Sequence, residues 1–175
     1  MNDLRPTMIR LSNAKGTTLA LAAACLLPAS SVLAAQPLTE AQARAIVAPL
    51  YEALNEPMKK DVPALLAQAT NPDYRSCSTE TDCIDRDALA AVFKSFGKTV
   101  PNLHWKIKHV WVAGDRIVVL GEATGTPTET FFGVAPTGRS FTTISLDSFL
   151  VKNGKLSQAY HVENWVGAIS QVKGE

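Results

Sequence analysis

Apolar residues recur at intervals of three and four positions through the first half of the chain, which predicts amphipathic helices. The predicted helices span residues 39–55, 62–69 and 86–96. Each is preceded or opened by a residue suited to cap its N-terminus, namely Thr39, Asp61 and Asp85. Pro49 lies inside the first helix, and we expect it to kink or locally break that helix. Residues 70–73 contain Asn and Pro, and they should end the second helix.

Beyond Gly97 the spacing of apolar residues changes to two, which predicts β-strands. Two hairpins follow from turn pairs at residues 114–115 and 153–154. Their strands are residues 104–112, 116–126, 141–152 and 155–163. Residues 128–139 have no clear pattern, and residues 165–172 fit either a short helix or an edge strand. Helices followed by an antiparallel sheet predict an α+β fold, with a pocket between the helices and one sheet face.

The second hairpin allows the two faces of the sheet to be assigned by counting. If residues 153–154 form a two-residue turn, Lys152 pairs with Lys155 and Asp147 lies opposite Tyr160. Opposed residues share a face, and alternation extends that face along each strand. The face that suits a pocket carries Phe141, Thr143, Ser145, Asp147, Phe149, Leu156, Gln158, Tyr160, Val162 and Asn164.

The opposite face of this hairpin carries Ile144, Leu146, Leu150, Ala159, His161 and Glu163. Its aliphatic part suggests burial against a partner subunit. A β-bulge would exchange these assignments. In the first hairpin, alternation places His109 on the face of Trp105, so both are expected to line the pocket. His104 and His109 point to opposite faces, so they are not a metal-binding pair.

The N-terminus has the pattern of an export signal. Arg5, Arg10 and Lys15 precede an apolar segment over residues 19–27, and small residues favour cleavage after Ala34. The alternatives are a membrane anchor, for which the apolar segment is about half the ~20 residues required, and a lipoprotein modified at Cys25. The expected mature protein is one domain, residues 35–175, located in the periplasm or secreted.

Charge and hydropathy limit the partners of this domain. The whole chain has 17 basic and 16 acidic residues. Cleavage removes three basic residues and one acidic residue, which leaves a net charge near −1. We expect no nucleic-acid partner, because there is no basic field to attract one. No apolar segment after the signal is long enough to span a bilayer, so no membrane partner is expected either.

Cleavage also leaves two cysteines, Cys77 and Cys83, separated by a short polar segment. In an oxidising compartment such a pair is expected to form a local disulfide. The closed loop is short, and its stabilising effect should be about 2 kcal/mol. A zinc site is not expected, because no histidine or second cysteine pair lies nearby. A redox-active pair remains the alternative.

Four segments together resemble the SnoaL-like polyketide cyclase or ester cyclase family of the nuclear transport factor 2-like superfamily. They are AGDRIVVLGEATGT, FFGVAPTGRSF, ISLDSFLVKNGKL and AYHVENW. The resemblance covers residues 103–172, and in the helical half it extends to the order and length of elements only. It implies a cone-shaped α+β barrel with an apolar cavity, a homodimer, and no metal or cofactor.

The resemblance also implies a chemistry. Cyclases of this family carry out an intramolecular aldol reaction, in which a carboxylate removes a proton next to a carbonyl. Burial can raise the pKa of a carboxyl group enough for this role. His161 and Asp147 match the family pattern and are the candidate catalytic residues, whereas Asn164 and Gln158 replace family acids and Tyr160 replaces a Trp. The candidate substrate-binding residues are Asn164, Tyr160, Gln158, Ser145, Thr143, His109 and Trp105.

Three functions are compatible with these observations. The first is acid–base catalysis on a small hydrophobic carbonyl compound, such as aldol cyclisation, isomerisation or hydrolysis. The second is a non-catalytic periplasmic binding protein, because the two amides keep hydrogen bonding but lose titratable charge. The third is an interaction module that dimerises through its aliphatic sheet face and has no working cavity.

Overall fold

The computed structural model describes residues 37–175, so the predicted signal peptide lies outside the described residues. The helices are α1 (Glu40–Leu54), α2 (Val62–Ala69), α3 (Arg86–Thr99) and α4 (Trp165–Lys173), with a 3-10 turn at Pro57–Lys59. The strands are β1 (Thr70–Cys77), β2 (Cys83–Asp85), β3 (His104–Ala113), β4 (Arg116–Gly125), β5 (Phe141–Lys152) and β6 (Lys155–Glu163).

The predicted caps begin three of the helices. Thr39 and Gln42 form a reciprocal capping box at the start of α1. The side chains of Asp61 and Asp85 accept backbone N–H bonds at the starts of α2 and α3. The expected break at Pro49 is absent, since α1 continues to Leu54. The carbonyl that Pro49 leaves without a partner belongs to Ala45, which is exposed and can be hydrated.

The six strands form one sheet in the order β2-β1-β6-β5-β4-β3. Neighbouring strands are antiparallel except β1 and β6, which are parallel. The sheet is curved but does not close. The α+β prediction is confirmed.

Two strands were not predicted from the pattern. Residues 70–73, expected only to end the second helix, begin β1. Pro72 lies where the register with β6 shifts, between Thr70 and Arg75, so it interrupts the alternation by which a strand is recognised. The disulfide prediction is confirmed, because Cys77 and Cys83 are opposed across β1 and β2 and are bonded.

β-Bulges change the face assignments in both hairpins. Lys152 pairs with Lys155 as predicted, but the register shifts after Leu150, and His161 rather than Tyr160 lies opposite Asp147. The predicted faces of β6 were therefore wrong from Gln158 onward, whereas Leu156 is buried on the inner side as predicted. A second shift in β3, between Ile107 and His109, turns His109 to the outer face.

The helices cover one face of the sheet, and the core lies between them. Inward residues of β5 alternate strictly with outward ones up to Asp147. Within residues 37–175, no helix is long and apolar enough to cross a bilayer.

Candidate functional site

A cavity of about 440 Å³ lies between the inner face of the sheet and the helices. Its walls are mainly apolar and come from α1, α3, α4 and the strands, including Leu50, Leu54, Phe93, Phe96, Trp105, Phe149 and Trp165. A few polar residues interrupt this lining, namely Tyr51, Tyr74, Ser76, Ser78, Asp82, Asp147, His161 and Glu163. An apolar cavity with a few convergent polar groups is typical of a small-molecule site.

Asp147, on β5, is one of three acidic residues in the cavity lining. Its Oδ2 accepts hydrogen bonds from Tyr51 Oη and from Ser145 Oγ, each at 2.7 Å. Burial raises the pKa of Asp147, and the two hydrogen bonds oppose that rise. Within residues 37–175, no hydrogen bond is made to Oδ1. That oxygen is free to take a proton from a bound molecule.

Tyr51 lies on α1, lines the cavity and donates its hydroxyl hydrogen bond to Asp147. Burial, and next the charge of Asp147, raise the pKa of Tyr51 above its ordinary value. The phenol therefore stays protonated and acts as a fixed hydrogen-bond donor. Tyr51 was not among the residues predicted for the site. Its position one turn after the buried Val47 was the available signal.

His161 and Glu163 form a second polar pair, on β6. Nδ1 of His161 lies 3.1 Å from Oε1 of Glu163. This contact raises the pKa of His161, and burial opposes the rise. The contact therefore stabilises the cationic form of the imidazole relative to the free side chain, with Nδ1–H donated to Glu163. In the described part of the chain, Nε2 has no hydrogen-bond partner.

The register brings Asp147 and His161 together. They are opposed across β5 and β6, and directly opposed Cβ atoms lie roughly 5 Å apart. The prediction that they occupy opposite faces was wrong, because it assumed a regular hairpin and the strand pair contains the bulge that would exchange the faces. The imidazole of His161 and the carboxyl group of Asp147 thus face the same cavity, where one can donate and the other can accept a proton.

Most of the predicted substrate-binding residues lie elsewhere. Asn164 caps α4, and its Oδ1 accepts from the backbone N–H of Gly167. Gln158 and Tyr160 point away from the cavity, where Gln158 Nε2 contacts Cys77 Sγ at 3.7 Å. His109 is exposed and stacks on Trp111.

Three other predicted residues lie on the inner side. Trp105 lines the cavity, and its buried Nε1–H has no acceptor among the described residues. Ser145 supports Asp147, as described above. Thr143 is buried beside the site and donates from Oγ1 to the backbone carbonyl of Asn164. Within residues 37–175, no group of three or more His, Cys, Asp or Glu side chains is arranged to hold a metal ion.

Comparison with known proteins agrees with this architecture. Residues 48–172 match the family model for SnoaL-like polyketide cyclase. TsrD from Streptomyces laurentii has a TM-score of 0.67 at 22% identity, covering 79% of this chain and 99% of that one. A candidate SnoaL-like polyketide cyclase from Jannaschia sp. CCS1 has a TM-score of 0.67 at 18% identity, covering 80% and 99%.

IdmH from Streptomyces antibioticus, a candidate polyketide cyclase, has a TM-score of 0.65 at 24% identity, covering 75% of this chain and 99% of that one. These structures establish a shared fold. No curated protein sequence matches the chain significantly. The family match spans most of the chain, including both strands that carry the polar pairs. The chain therefore belongs to the SnoaL-like polyketide cyclase family.

Proposed function

We propose that the cavity binds a small hydrophobic carbonyl compound and that Asp147 removes a proton from the carbon next to the carbonyl group. The observation that carries this proposal is the opposition of Asp147 and His161 within one apolar cavity. One residue supplies a base with a free oxygen. The other supplies a hydrogen-bond donor for the carbonyl oxygen, an imidazole whose pKa is raised by Glu163.

The surroundings of Asp147 suit a general base. Burial raises its pKa toward neutrality, which strengthens it as a base, and the hydrogen bonds from Tyr51 and Ser145 orient its carboxylate. Because both donors bind Oδ2, the unoccupied Oδ1 is the oxygen that would receive the proton.

The surroundings of His161 suit an electrophilic group. Glu163 holds the imidazole through Nδ1, which leaves Nε2–H for a ligand oxygen. A developing enolate oxygen would be stabilised by the Nε2–H of His161 in a cavity with mainly apolar walls.

The proposed step balances without a cofactor. The C–H bond breaks, its proton moves to Asp147, and its electron pair forms the carbon–carbon double bond of the enolate. The oxygen receives the hydrogen bond, or the proton, of His161. Attack of the enolate on a second carbonyl gives aldol cyclisation, and return of the proton to another carbon gives isomerisation.

Deuterium exchange into a simple bicyclic ketone tests this step. We expect the protein to accelerate exchange of the α-protons of 2-tetralone in D2O, followed by NMR. Asp147→Asn should reduce the accelerated rate by at least about 100-fold, because an amide is not a base near neutral pH. Asp115→Asn, at an exposed turn between β3 and β4, is the matched control and should keep the wild-type rate.

Non-catalytic binding on the same scaffold is the second candidate function. It predicts that 2-tetralone binds without accelerated exchange. Asn164 and Gln158, the two amides that favoured non-catalytic binding, lie outside the cavity lining, so their presence removes no titratable group from the cavity. The same NMR samples separate the two candidates, since line broadening reports binding and loss of α-proton signal reports chemistry.

We also propose a homodimer formed through the outer face of the sheet. Leu120, Leu146 and Val162 adjoin one another on three neighbouring strands of that face. Leu146 and Val162 are 47% and 63% exposed. A contiguous exposed apolar row of this kind is typical of an interface. A second copy is the favoured occupant because the row crosses the sheet centre and can match itself across a two-fold axis.

Export to the periplasm or medium is proposed for the same protein. The N-terminal pattern of charge, apolar segment and small residues supports it. The bond between Cys77 and Cys83 also supports it, because structural disulfides form and persist in oxidising compartments. On this proposal the working protein consists of residues 35–175.

A further inference from the structure

Residues 131–134 form a tight turn that contributes Phe132 to the cavity lining. Phe131 and Val134 exchange two backbone hydrogen bonds, each of 2.9 Å, around two central residues. Both central residues have positive φ, 47° at Phe132 and 82° at Gly133. This is the signature of a type I′ turn, which strongly favours Asn followed by Gly.

Phe132 is poorly suited to that backbone conformation. A bulky side chain at positive φ is an outlier, because its Cβ approaches the neighbouring backbone. The turn at Asn153 and Gly154 has similar values, 53° and 73°, and uses the favoured pair. Folding alone would therefore favour Asn at position 132 as well. Strain of this kind is often found at functional sites.

The ring of Phe132 extends the apolar lining of the cavity to its mouth. It is 54% exposed, yet it lines the cavity. Its centroid lies 5.5 Å from that of Trp165 and 6.5 Å from that of Phe96, both also lining residues. The ring thus offers a large uncovered apolar surface where a ligand would enter or rest.

We infer that Phe132 is a specificity-determining residue of the cavity, held by a strained turn so that its ring packs on the apolar part of a bound ligand. The inference rests on the proposed function, since it concerns the ligand of that same site. Ring and strain make separate predictions. The strained backbone lowers stability, and the ring raises ligand affinity.

Two variants that remove the ring isolate the strain. Phe132→Asn suits positive φ and Phe132→Ala does not, while both lose the aromatic contacts. We expect Phe132→Asn to melt about 3 °C above Phe132→Ala by differential scanning calorimetry. Equal melting temperatures would show that the turn is not strained and would overturn that half of the inference.

The affinity of 2-tetralone, measured by titration of tryptophan fluorescence, tests the ring. Both Phe132→Ala and Phe132→Asn should bind roughly ten-fold more weakly than the wild type, since each loses one aromatic contact and its buried area. Phe132→Tyr keeps the ring and should restore the wild-type affinity. Met58→Ala, which removes an exposed apolar side chain outside the cavity, is the matched control.

The outcomes separate this inference from the proposed function. Wild-type affinity in both ring-less variants overturns the role of Phe132 and leaves the proposed function standing. If Phe132→Tyr binds as weakly as the two ring-less variants, the role of Phe132 is also overturned, because loss of the ring would then not be the cause of the weak binding. If the wild type itself does not bind 2-tetralone, the proposed function fails and this inference fails with it.

Discussion

At the scale of single residues, Asp147 combines two opposing influences on one carboxyl group. Burial raises its pKa, whereas the hydroxyl groups of Tyr51 and Ser145 lower it by stabilising the carboxylate. An acid that is only buried would stay protonated, and one that is only hydrogen-bonded would be too weak a base. The combination suits a base that must be ionised yet reactive.

Glu163 should control the charge of His161. Glu163→Gln removes the carboxylate that raises the pKa of His161, so that pKa should fall. NMR titration of the His161 imidazole measures the shift directly. The alkaline limb of the pH profile for 2-tetralone exchange should move to lower pH in the same variant, because fewer imidazoles remain charged.

Glu163→Gln should also change the pH dependence of stability, in a direction that follows from the raised pKa of His161. A raised pKa means that folding favours the protonated imidazole, so the stabilisation is present below the unfolded pKa and lost as pH rises through the folded one. The melting temperature of Glu163→Gln should therefore be lower than that of the wild type at about pH 6, and the two melting temperatures should become equal at about pH 9. Glu129→Gln, at an exposed loop position, is the control. A constant difference at all pH values would contradict the pairing.

The candidate site was partly predictable at this scale. Asp147 and His161 both face the cavity, but counting along a regular hairpin put them on opposite faces. A bulge depends on local twist and packing, and no residue type in β6 predicts its position. Tyr51 and Glu163 were not predicted for the site. Tyr51 lies on a helix with several apolar positions, any of which could face the cavity, and Glu163 changed face because of the bulge.

At the scale of elements, the disulfide fastens the short strand β2 to β1. The loop between the two cysteines supplies Ser78 and Asp82 to the cavity lining. The double variant Cys77→Ser, Cys83→Ser should lose about 2 kcal/mol of unfolding free energy, because the short loop gains entropy mainly in the unfolded chain. Denaturant unfolding measures the loss.

Reduction provides the matching control. Dithiothreitol should lower the stability of the wild type to near that of the double variant and leave the double variant unchanged. Equal stability of the oxidised and reduced wild type would mean that the bond adds nothing to the fold.

Elements were predictable where local signals agreed with the tertiary structure. The capped helices and the two hairpins satisfied both, so their positions followed from the pattern. The position of strand β1 did not follow from the pattern, because Pro72 and the polar residues beside it have low strand propensity. Its strand conformation depends on pairing with β6, which is distant in sequence.

At the scale of the whole molecule, the two faces of the sheet differ in the side chains they carry. The inner face supplies the polar pairs of the cavity, and the outer face carries the apolar row that we propose as the dimer interface. Both faces run through β5, where Asp147 and Leu146 are adjacent in sequence and point in opposite directions. A partner packed on Leu146 would therefore stiffen the strand that holds Asp147.

The dimer can be tested at one position. Leu146→Lys places a charge in the centre of the outer apolar row, where burial against a second copy would cost its full desolvation. Light scattering should report twice the chain mass for the wild type and a single chain mass for this variant. Met58→Lys has the same exposure, 47%, but lies on the 3-10 turn away from the sheet, and it should remain a dimer. A wild type that is monomeric at high concentration would exclude the interface. If Leu146→Lys also weakens 2-tetralone binding while Met58→Lys does not, the outer face contributes to the order of the cavity.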